Sequence, residues 1–469
     1  MLSKNFFAFL PVYLPFLFSI LLKDLPHVSY FIAWSGSFFI FYMAFSGRLK
    51  KLPDDLPVLQ QLLRPIFLMH VIFVGYMACT SIFYYINSMG YEYFENVRNT
   101  SPNLMIFKDI ANCQRYYVLG HAALIHGILF RMDYNFEKKY ALRVSTMSVF
   151  LFQLSIVCLA LGLVFERVGF LNQFSIQLNG LSFVSGTISL TFAIKERRNT
   201  LIILTALLFL GNLLKSTVSG FKEPIIICVL LLGIFLLPVY GKKIIPFFAV
   251  IMIALFILLP TFIGAYRSSA YSGGDATYSR EKGLSAVLDK NNLQRDLQEN
   301  YWSFLTNRLS EIDMFINYTT TTPQFVPYYK YDIVKQGFQS IVPRVIWPEK
   351  PVTEDMVMDR VYRAGVINPA SQVSAKPAYI VDGFLSYGYF GVWVALLSLG
   401  YISQLISCKA EMLFGSYFLG TAVMFAGLFQ ILWRGNSFEF MFNSVLWSYV
   451  TMLIIFRFLR ARAIIDRIN

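Results

Sequence analysis

Charge is what this sequence has least of. Asp, Glu, Lys and Arg make up 14% of it, against about 25% in an average soluble chain. Cysteine is also sparse. Cys79, Cys113, Cys158, Cys228 and Cys408 are scattered and odd in number, with no CxxC or metal-ligand spacing, so neither a disulfide framework nor a zinc site is supported. No Walker loop, GxSxG elbow or HExxH occurs, which leaves ATPase, serine hydrolase and zinc protease readings without a motif. No duplicated half is visible, and this counts against a transporter built from inverted repeats.

Apolar residues fill the space that charge leaves. The chain is 56% hydrophobic with a mean hydropathy of +0.56. Many windows reach the ~18–20 apolar residues needed to cross a bilayer. The expected fold class is an all-α polytopic membrane protein. Candidate spans are 6–22, 29–47, 66–88, 114–130, 145–165, 178–194, 201–214, 224–240, 246–264, 385–407, 416–433 and 439–456, about 12 helices in all. The first run, Phe6 to Leu22, carries Pro11 and Pro15 and lacks a small-residue cleavage site, so it reads as a retained span rather than a signal peptide.

The net charge of +13 does not point to nucleic acid, because the excess lies in short loops between apolar segments. With the N-terminus in the cytoplasm, cytoplasmic segments hold 19 Lys and Arg and the short loops opposite hold 8. That alternation is the positive-inside pattern. It predicts two cytoplasmic termini and an extracytoplasmic loop, dividing the chain into helices 1–265, a loop 266–378 and helices with a tail 379–469.

That loop is the one long polar stretch, and loops of such size are usually functional. It holds 13 of the 40 basic and 12 of the 27 acidic residues. Residues 268–283 are small and polar and predict flexibility. Residues 285–317 read as helix, with Leu305, Leu309, Ile312 and Ile316 on one stripe. The aromatic segment around Tyr328, Tyr329 and Tyr331 reads as irregular surface. Pro343, Pro348 and Pro351 rule out a continuous helix through Arg344.

Candidate chemistry collects on the extracytoplasmic side. Arg267, Arg434, Lys215, Lys222, Arg344 and Lys350 sit at or near the membrane boundary, the depth of a lipid-linked diphosphate, and Arg binds phosphate oxygens bidentately. Interfacial snorkelling explains any single one of them equally well. Glu311, Asp313, Glu349, Asp382 and the Glu354–Asp355–Asp359 group are candidate acids. One carboxylate suffices as general base for glycosyl transfer to a hydroxyl. Asp382, at the lip of the tenth span, reads either as functional or as a cap. The 354–359 acids read as a solvated helix face before a metal site. His121 and His126, inside the fourth span, read as core residues, and His27 and His70 sit at span ends. No cytoplasmic segment is long enough to form a nucleotide-sugar domain.

Ile341-Val342-Pro343-Arg344-Val345-Ile346-Trp347-Pro348-Glu349-Lys350-Pro351 resembles the "IPR-x-x-WP-x-KP" signature of Wzy-type oligosaccharide repeat-unit polymerases of O-antigen and capsule. Asp382-Gly383-Phe384-Leu385-Ser386-Tyr387-Gly388 resembles the start of that family's helix after the loop, and Ser219-Gly220-Phe221-Lys222 its Ser-Gly-x-Lys/Arg turn. The resemblance covers the architecture and about thirty residues. It implies a GT-C-like, metal-independent, inverting glycosyltransferase of the bacterial inner membrane that needs no cofactor. Its partners would be undecaprenyl-diphosphate-linked oligosaccharide, membrane lipid and a chain-length regulator, with no nucleic acid. Arg344 would hold the diphosphate, with Lys222, Lys350, Arg267 and Arg434 in support. Glu311 or Asp382 would be the base, and Trp347, Tyr328 and Tyr329 would stack on sugar. The related O-antigen ligase and a lipid-linked oligosaccharide flippase are the alternatives.

Overall fold

The computed structural model describes residues 8–98, 103–136, 139–169, 171–218, 222–271, 275–289, 291, 301–370, 375–429 and 436–468. The protein is an all-α membrane protein. Among the described residues 7 helical stretches are long and apolar enough to cross a membrane, one of them the 45-residue Ile225–Ser269. The chain divides into two compact units, Met1–Asp55 with Leu63–Ala141 and Leu305–Asn469, and Leu56–Leu62 with Leu142–Phe304. These units cut across the linear division into spans, loop and spans.

In the first unit lie α1 (Leu14–Leu21), α2 (Pro26–Phe45), α3 (Pro65–Ile72), α4 (Ser81–Ser88) and α5 (Leu104–Arg131). A π-helical turn, Phe73–Ala78, separates α3 from α4. Proline begins both α2 and α3, where its missing N–H costs nothing. The second unit holds α6 (Met147–Arg167), α7 (Asn172–Lys195), α8 (Asn199–Val218), α9 (Lys222–Tyr240), α10 (Ile244–Tyr271) and α11 (Ala276–Leu288). Serines bind α6 to α7: Ser155 Oγ donates to the Ser182 carbonyl and Ser189 Oγ to the Ser148 carbonyl, each at 2.7 Å. Small polar side chains of this kind let apolar helices approach closely. The chain returns to the first unit with α12 (Ile312–Thr321), α13 (Asp332–Ile341), α14 (Thr353–Arg363), α15 (Tyr379–Phe414) and α16 (Phe438–Ala461).

Three segments differ from the sequence expectation. The helix expected from 114 begins at Leu104, where Asn103 accepts the Met105 N–H at 2.9 Å. Arg115, expected in a loop, is therefore inside α5, 8% exposed, and donates to Ser29 Oγ at 2.9 Å. The stretch expected to be flexible at 268–283 is helical on either side of 272–274: α10 runs to Tyr271, and Asp275 caps α11 by accepting the Tyr278 N–H at 2.7 Å. The helix expected over 285–317 is interrupted. A π-helical segment, Leu305–Leu309, gives way to α12 at Ser310, whose hydroxyl accepts the Ile312 N–H and so competes with a continuous backbone ladder.

α5 is the centre of the first unit, buried almost continuously from Ile110 to Leu129. It crosses α15 backbone to backbone. A Cβ on Gly127 would stand 2.2 Å from the Leu397 carbonyl oxygen, and one on Gly400 would stand 2.2 Å from that of Leu124. At the end away from the loop, buried Arg64 is bidentate to both Asp55 and Glu411 at 2.7–2.8 Å and stacks 3.8 Å from the Tyr134 ring centroid. Every acceptor that Arg64 needs is supplied by the protein.

α15 is not one helix. Tyr387 (φ −153°, ψ 34°) and Gly388 (φ 57°, ψ −133°) break it. The chain turns back there, so that a Cβ on Gly391 would stand 2.0 Å from the Gly383 carbonyl oxygen. Only glycine at 391 permits that approach, a Cβ on Gly383 would be tight at 3.1 Å from its neighbours, and only glycine adopts the backbone at 388 without strain. The break would orphan the Leu385 and Ser386 carbonyls. Both are recovered by backbone donors of the aromatic segment, Tyr329 N–H at 2.9 Å and Lys330 N–H at 3.2 Å. We therefore expect Gly391→Val to abolish the folded protein, and Gly388→Ala to destabilise it by about 1–3 kcal/mol. The thermal unfolding midpoint in detergent measures both, and wild-type midpoints in both variants would contradict the hairpin.

Candidate functional site

The turn in α15 places its first helical segment beside the start of α16 and under α14. Arg360 of α14 lies at the junction, 1% exposed, with Glu439 at 0% and Asp382 at 2%. Its guanidinium is bidentate to Glu439 at 2.7 and 2.9 Å, and Nη1 also donates to Gln336 Oε1 of α13 at 2.7 Å. Nη2 stands 3.2 Å from Asp382 Oδ1. The other oxygen of Asp382 accepts the Phe438 N–H at 2.7 Å and so caps α16. Two carboxylates and one guanidinium leave one formal negative charge in excess. Burial resists the charge on Arg360, but Asp382 and Glu439 prevail and hold its proton more tightly than usual.

Asp382 also lines a cavity of ≈ 720 Å³ between α13, α15 and α16. Phe338, Phe390, Val394, Val445 and Leu446 make its walls apolar, and Lys330, Tyr331, Ser386 and Asp382 supply polar groups. Such a form, apolar with a few convergent polar groups, is the usual ligand site. α13 is amphipathic in two directions. Ile333, Gly337 and Ser340 are buried, and Ile333, Val334 and Phe338 line the cavity. Gly337 is required because a Cβ there would stand 2.3 Å from the Phe438 ring.

Among the described residues singled out in the sequence as site candidates, only Asp382 joins the Arg360 cluster. Glu311 stands immediately before α12, half-buried, and accepts the Tyr76 hydroxyl at 2.8 Å. Arg344 is exposed in the turn between α13 and α14, where Nη1 donates to the Pro348 carbonyl at 3.3 Å. Trp347 is half-buried in the same turn. Lys350 is buried, and its ammonium donates to the Ser340 and Val342 carbonyls at 2.9 Å each. With Trp447 Nε1 on the Ile341 carbonyl at 3.1 Å, it caps the C-terminus of α13. Burial lowers the Lys350 pKa from its ordinary value, and nearby Arg344 adds to the effect. Tyr328 and Tyr329 are half-buried against the α15 turn, and burial raises both phenols. Arg267 lies near the end of α10 in the second unit. Lys222 begins α9, but its side chain, like Arg308 and all of Arg434 and 219–221, lies outside the described residues.

The acids at 354–359 behave as a solvated face, with Glu354 paired to Lys376 at 3.2 Å and Asp359 to Arg363 at 2.9 Å. No cluster of three or more His, Cys, Asp or Glu suited to a metal occurs among the described residues. His121 and His126 are buried core residues of α5. His70, expected at a span end, is fully buried within α3.

Arg360, Glu439, Gln336 and Lys330 were missed by the sequence reading. A signal existed for two of them. Glu439 is an acid in the first turn of an apolar helix, as Asp382 is. Arg360 shares the buried face of α14 with Val357 and Val361, an odd place for a cation.

The model of a protein family described as a domain of unknown function (DUF8712) matches residues 14–467. The chain belongs to that family. The match runs from α1 to beyond α16, so it includes the α15 turn and the Arg360 cluster. Searches of curated proteins and of solved structures returned no match.

The cluster is expected to respond unequally to substitution. Arg360→Leu leaves two buried carboxylates with no cation and should cost about 3–5 kcal/mol. Glu439→Gln leaves a neutral Arg360–Asp382 pair and should cost distinctly less. Chemical or thermal unfolding in detergent gives the order, and an equal or reversed order would contradict the charge balance described.

Proposed function

We propose that this protein polymerises undecaprenyl-diphosphate-linked oligosaccharide repeat units by inverting glycosyl transfer on the periplasmic side of the bacterial inner membrane. The observation that carries the reading is a buried carboxylate, Asp382, at the polar end of an otherwise apolar cavity. A polyprenyl tail needs such walls, and its sugar needs a base beside them. The polymerase-like motif at 341–351 and the run from Asp382 support the same reading. In this account the chain crosses the membrane about twelve times in a GT-C-like arrangement, with both termini cytoplasmic. Seven helical stretches among the described residues have the length and apolar character this needs.

In the transfer, an acceptor hydroxyl oxygen attacks the anomeric carbon of the lipid-linked donor. The bond from that carbon to diphosphate breaks, and its electron pair leaves on the diphosphate oxygen. The hydroxyl proton passes to Asp382. Glu311 is the weaker candidate for base, since Tyr76 already donates to it. Arg344, exposed beside Lys350, and Lys330, at the cavity, would meet the developing charge on the leaving diphosphate.

Asp382→Asn should lower polymer formation by roughly 10²–10⁴-fold, the usual contribution of a general base, while Glu311→Gln keeps a glycan ladder. The ladder on a gel, from cells expressing each variant at equal level, is the measurement. Long chains from Asp382→Asn would refute the assignment.

A second reading, a lipid-linked oligosaccharide transporter, is favoured by the interrupted helix α15, because transporters bind substrate at broken helices. Deletion separates the two. Loss of a polymerase leaves single repeat units on surface lipid, and loss of a transporter leaves them inside.

A further inference from the structure

Two tyrosines stand at the polar end of the cavity, and the transfer described above uses neither. Tyr331 and Tyr387 both line it, together with Lys330, Ser386 and Asp382. Their rings meet edge to face, with centroids 5.4 Å apart and planes at 67°. Two rings set in this way make a corner. Tyr331 is 75% exposed, so most of its surface is left open to whatever enters.

That exposure is not the exposure of a loose loop, because the backbone pins Tyr331 on both sides. Before it, the Tyr329 and Lys330 N–H groups donate to the Leu385 and Ser386 carbonyls at 2.9 and 3.2 Å. After it, the Asp332 N–H donates to the Tyr329 carbonyl at 2.9 Å, and the Tyr331 carbonyl accepts the Lys335 N–H at 2.9 Å. Lys330, immediately before it, has φ 52°, a left-handed conformation that residues with a side chain rarely adopt. Backbone outliers of this kind gather at ligand sites. Tyr387 is placed by the break in α15 itself. Tyr328 and Tyr329, half-buried against that break, anchor the segment, and Tyr331 is the aromatic it presents.

We propose that Tyr331 and Tyr387 form the platform on which a sugar ring of the repeat unit stacks, an inference that rests on the glycosyl-transfer reading. A pyranose presents several C–H bonds on one face, weakly positive at hydrogen, and the face of an aromatic ring is negative. The cavity offers two chemistries along its length. From Gly391 to Ile406 its α15 wall runs about 22 Å, mostly apolar through Val394, Ile402 and Leu405, and this part suits the polyprenyl tail. The tyrosines gather with Lys330, Ser386 and Asp382 at the other part. Ser386 Oγ donates to the Asp382 carbonyl at 2.8 Å from one helical turn on, so Asp382 and Ser386 are about 6 Å apart along the helix. A single sugar residue spans that separation. A ring stacked beside Ser386 on the tyrosine corner therefore turns its hydroxyl edge toward the carboxylate, and the platform sets which face of the sugar is covered.

The test uses full-length protein in lipid nanodiscs and two separate probes. One is the free repeat-unit oligosaccharide released by mild acid from the cell's own lipid carrier, and the other is undecaprenyl diphosphate. Tyr331→Ala removes one ring, Tyr387→Leu keeps apolar bulk without an aromatic face, and Tyr331→Phe keeps the face without the hydroxyl. Wild type should bind the oligosaccharide. Tyr331→Ala and Tyr387→Leu should each weaken that binding by roughly three- to tenfold, the worth of one aromatic contact, with undecaprenyl diphosphate affinity unchanged. Tyr331→Phe should bind as wild type does. Wild-type oligosaccharide affinity in Tyr331→Ala or in Tyr387→Leu would overturn the platform, and a loss of undecaprenyl diphosphate affinity with that result would assign the rings to the lipid interface. A Tyr331→Phe variant as weak as Tyr331→Ala would overturn stacking in favour of a hydrogen bond from the phenol. Wild type that makes a ladder and binds the lipid diphosphate but not the oligosaccharide would overturn the platform alone. Wild type that binds neither probe and makes no ladder would overturn the polymerase reading with it.

Discussion

The first unit depends on one guanidinium. Arg360 joins Gln336 of α13, Asp382 of α15 and Glu439 of α16 from its own place on α14, so four elements meet at a group that cannot lose its charge. A buried ion cluster is a poor source of net stability, because desolvation cancels much of the attraction. Its effect is directional instead. The planar fork admits Glu439 in one geometry only, and this fixes α14 over the start of α16. Asp382 completes the junction by capping α16 through the Phe438 N–H. The carboxylate that would do chemistry is thus held by the same contacts that hold the fold.

The break in α15 follows from the same constraint. A continuous helix through 387 and 388 would carry Asp382 along the axis of the long helix that packs on α5. Turning the chain back at Gly388 instead brings the Asp382 segment beside the α16 N-terminus, at the cost of two unpaired carbonyls. The aromatic segment repairs this with the Tyr329 and Lys330 N–H groups. Tyr328 and Tyr329 therefore act through backbone and packing at the turn. Lys350 and Trp447 do comparable work at the far end of α13, where three successive carbonyls would otherwise be exposed in an apolar setting. The polymerase-like motif at 341–351 contributes its lysine to this cap and leaves its arginine exposed.

Much of this was legible in the sequence, for a simple reason. Apolar length is a one-dimensional property, and among the described residues 7 helical stretches are long and apolar enough to cross a membrane. The proline spacing correctly ruled out a continuous helix through Arg344, which lies between α13 and α14. Asp382 was legible because an acid at the end of an apolar run is conspicuous by itself. Arg360 was not, because its meaning lies in partners far along the chain. The start of α5 was hidden because Lys108, Asp109 and Arg115 look like loop residues until Ser29 and Asn112 are seen to receive Arg115. The interruption at Ser310 was hidden because the stripe of Leu305, Leu309, Ile312 and Ile316 keeps nearly helical spacing across it.

The central claim is that the apolar cavity ending at Asp382 receives the lipid carrier. Photo-crosslinking tests it most directly, using a polyprenyl diphosphate with a diazirine in its first isoprene units and purified full-length protein. Peptide mapping should place saturable label, competed by unlabelled undecaprenyl diphosphate, on cavity residues such as Phe338, Phe390 and Val445. Saturable label confined to the second unit, with none on α13, α15 or α16, would contradict the account.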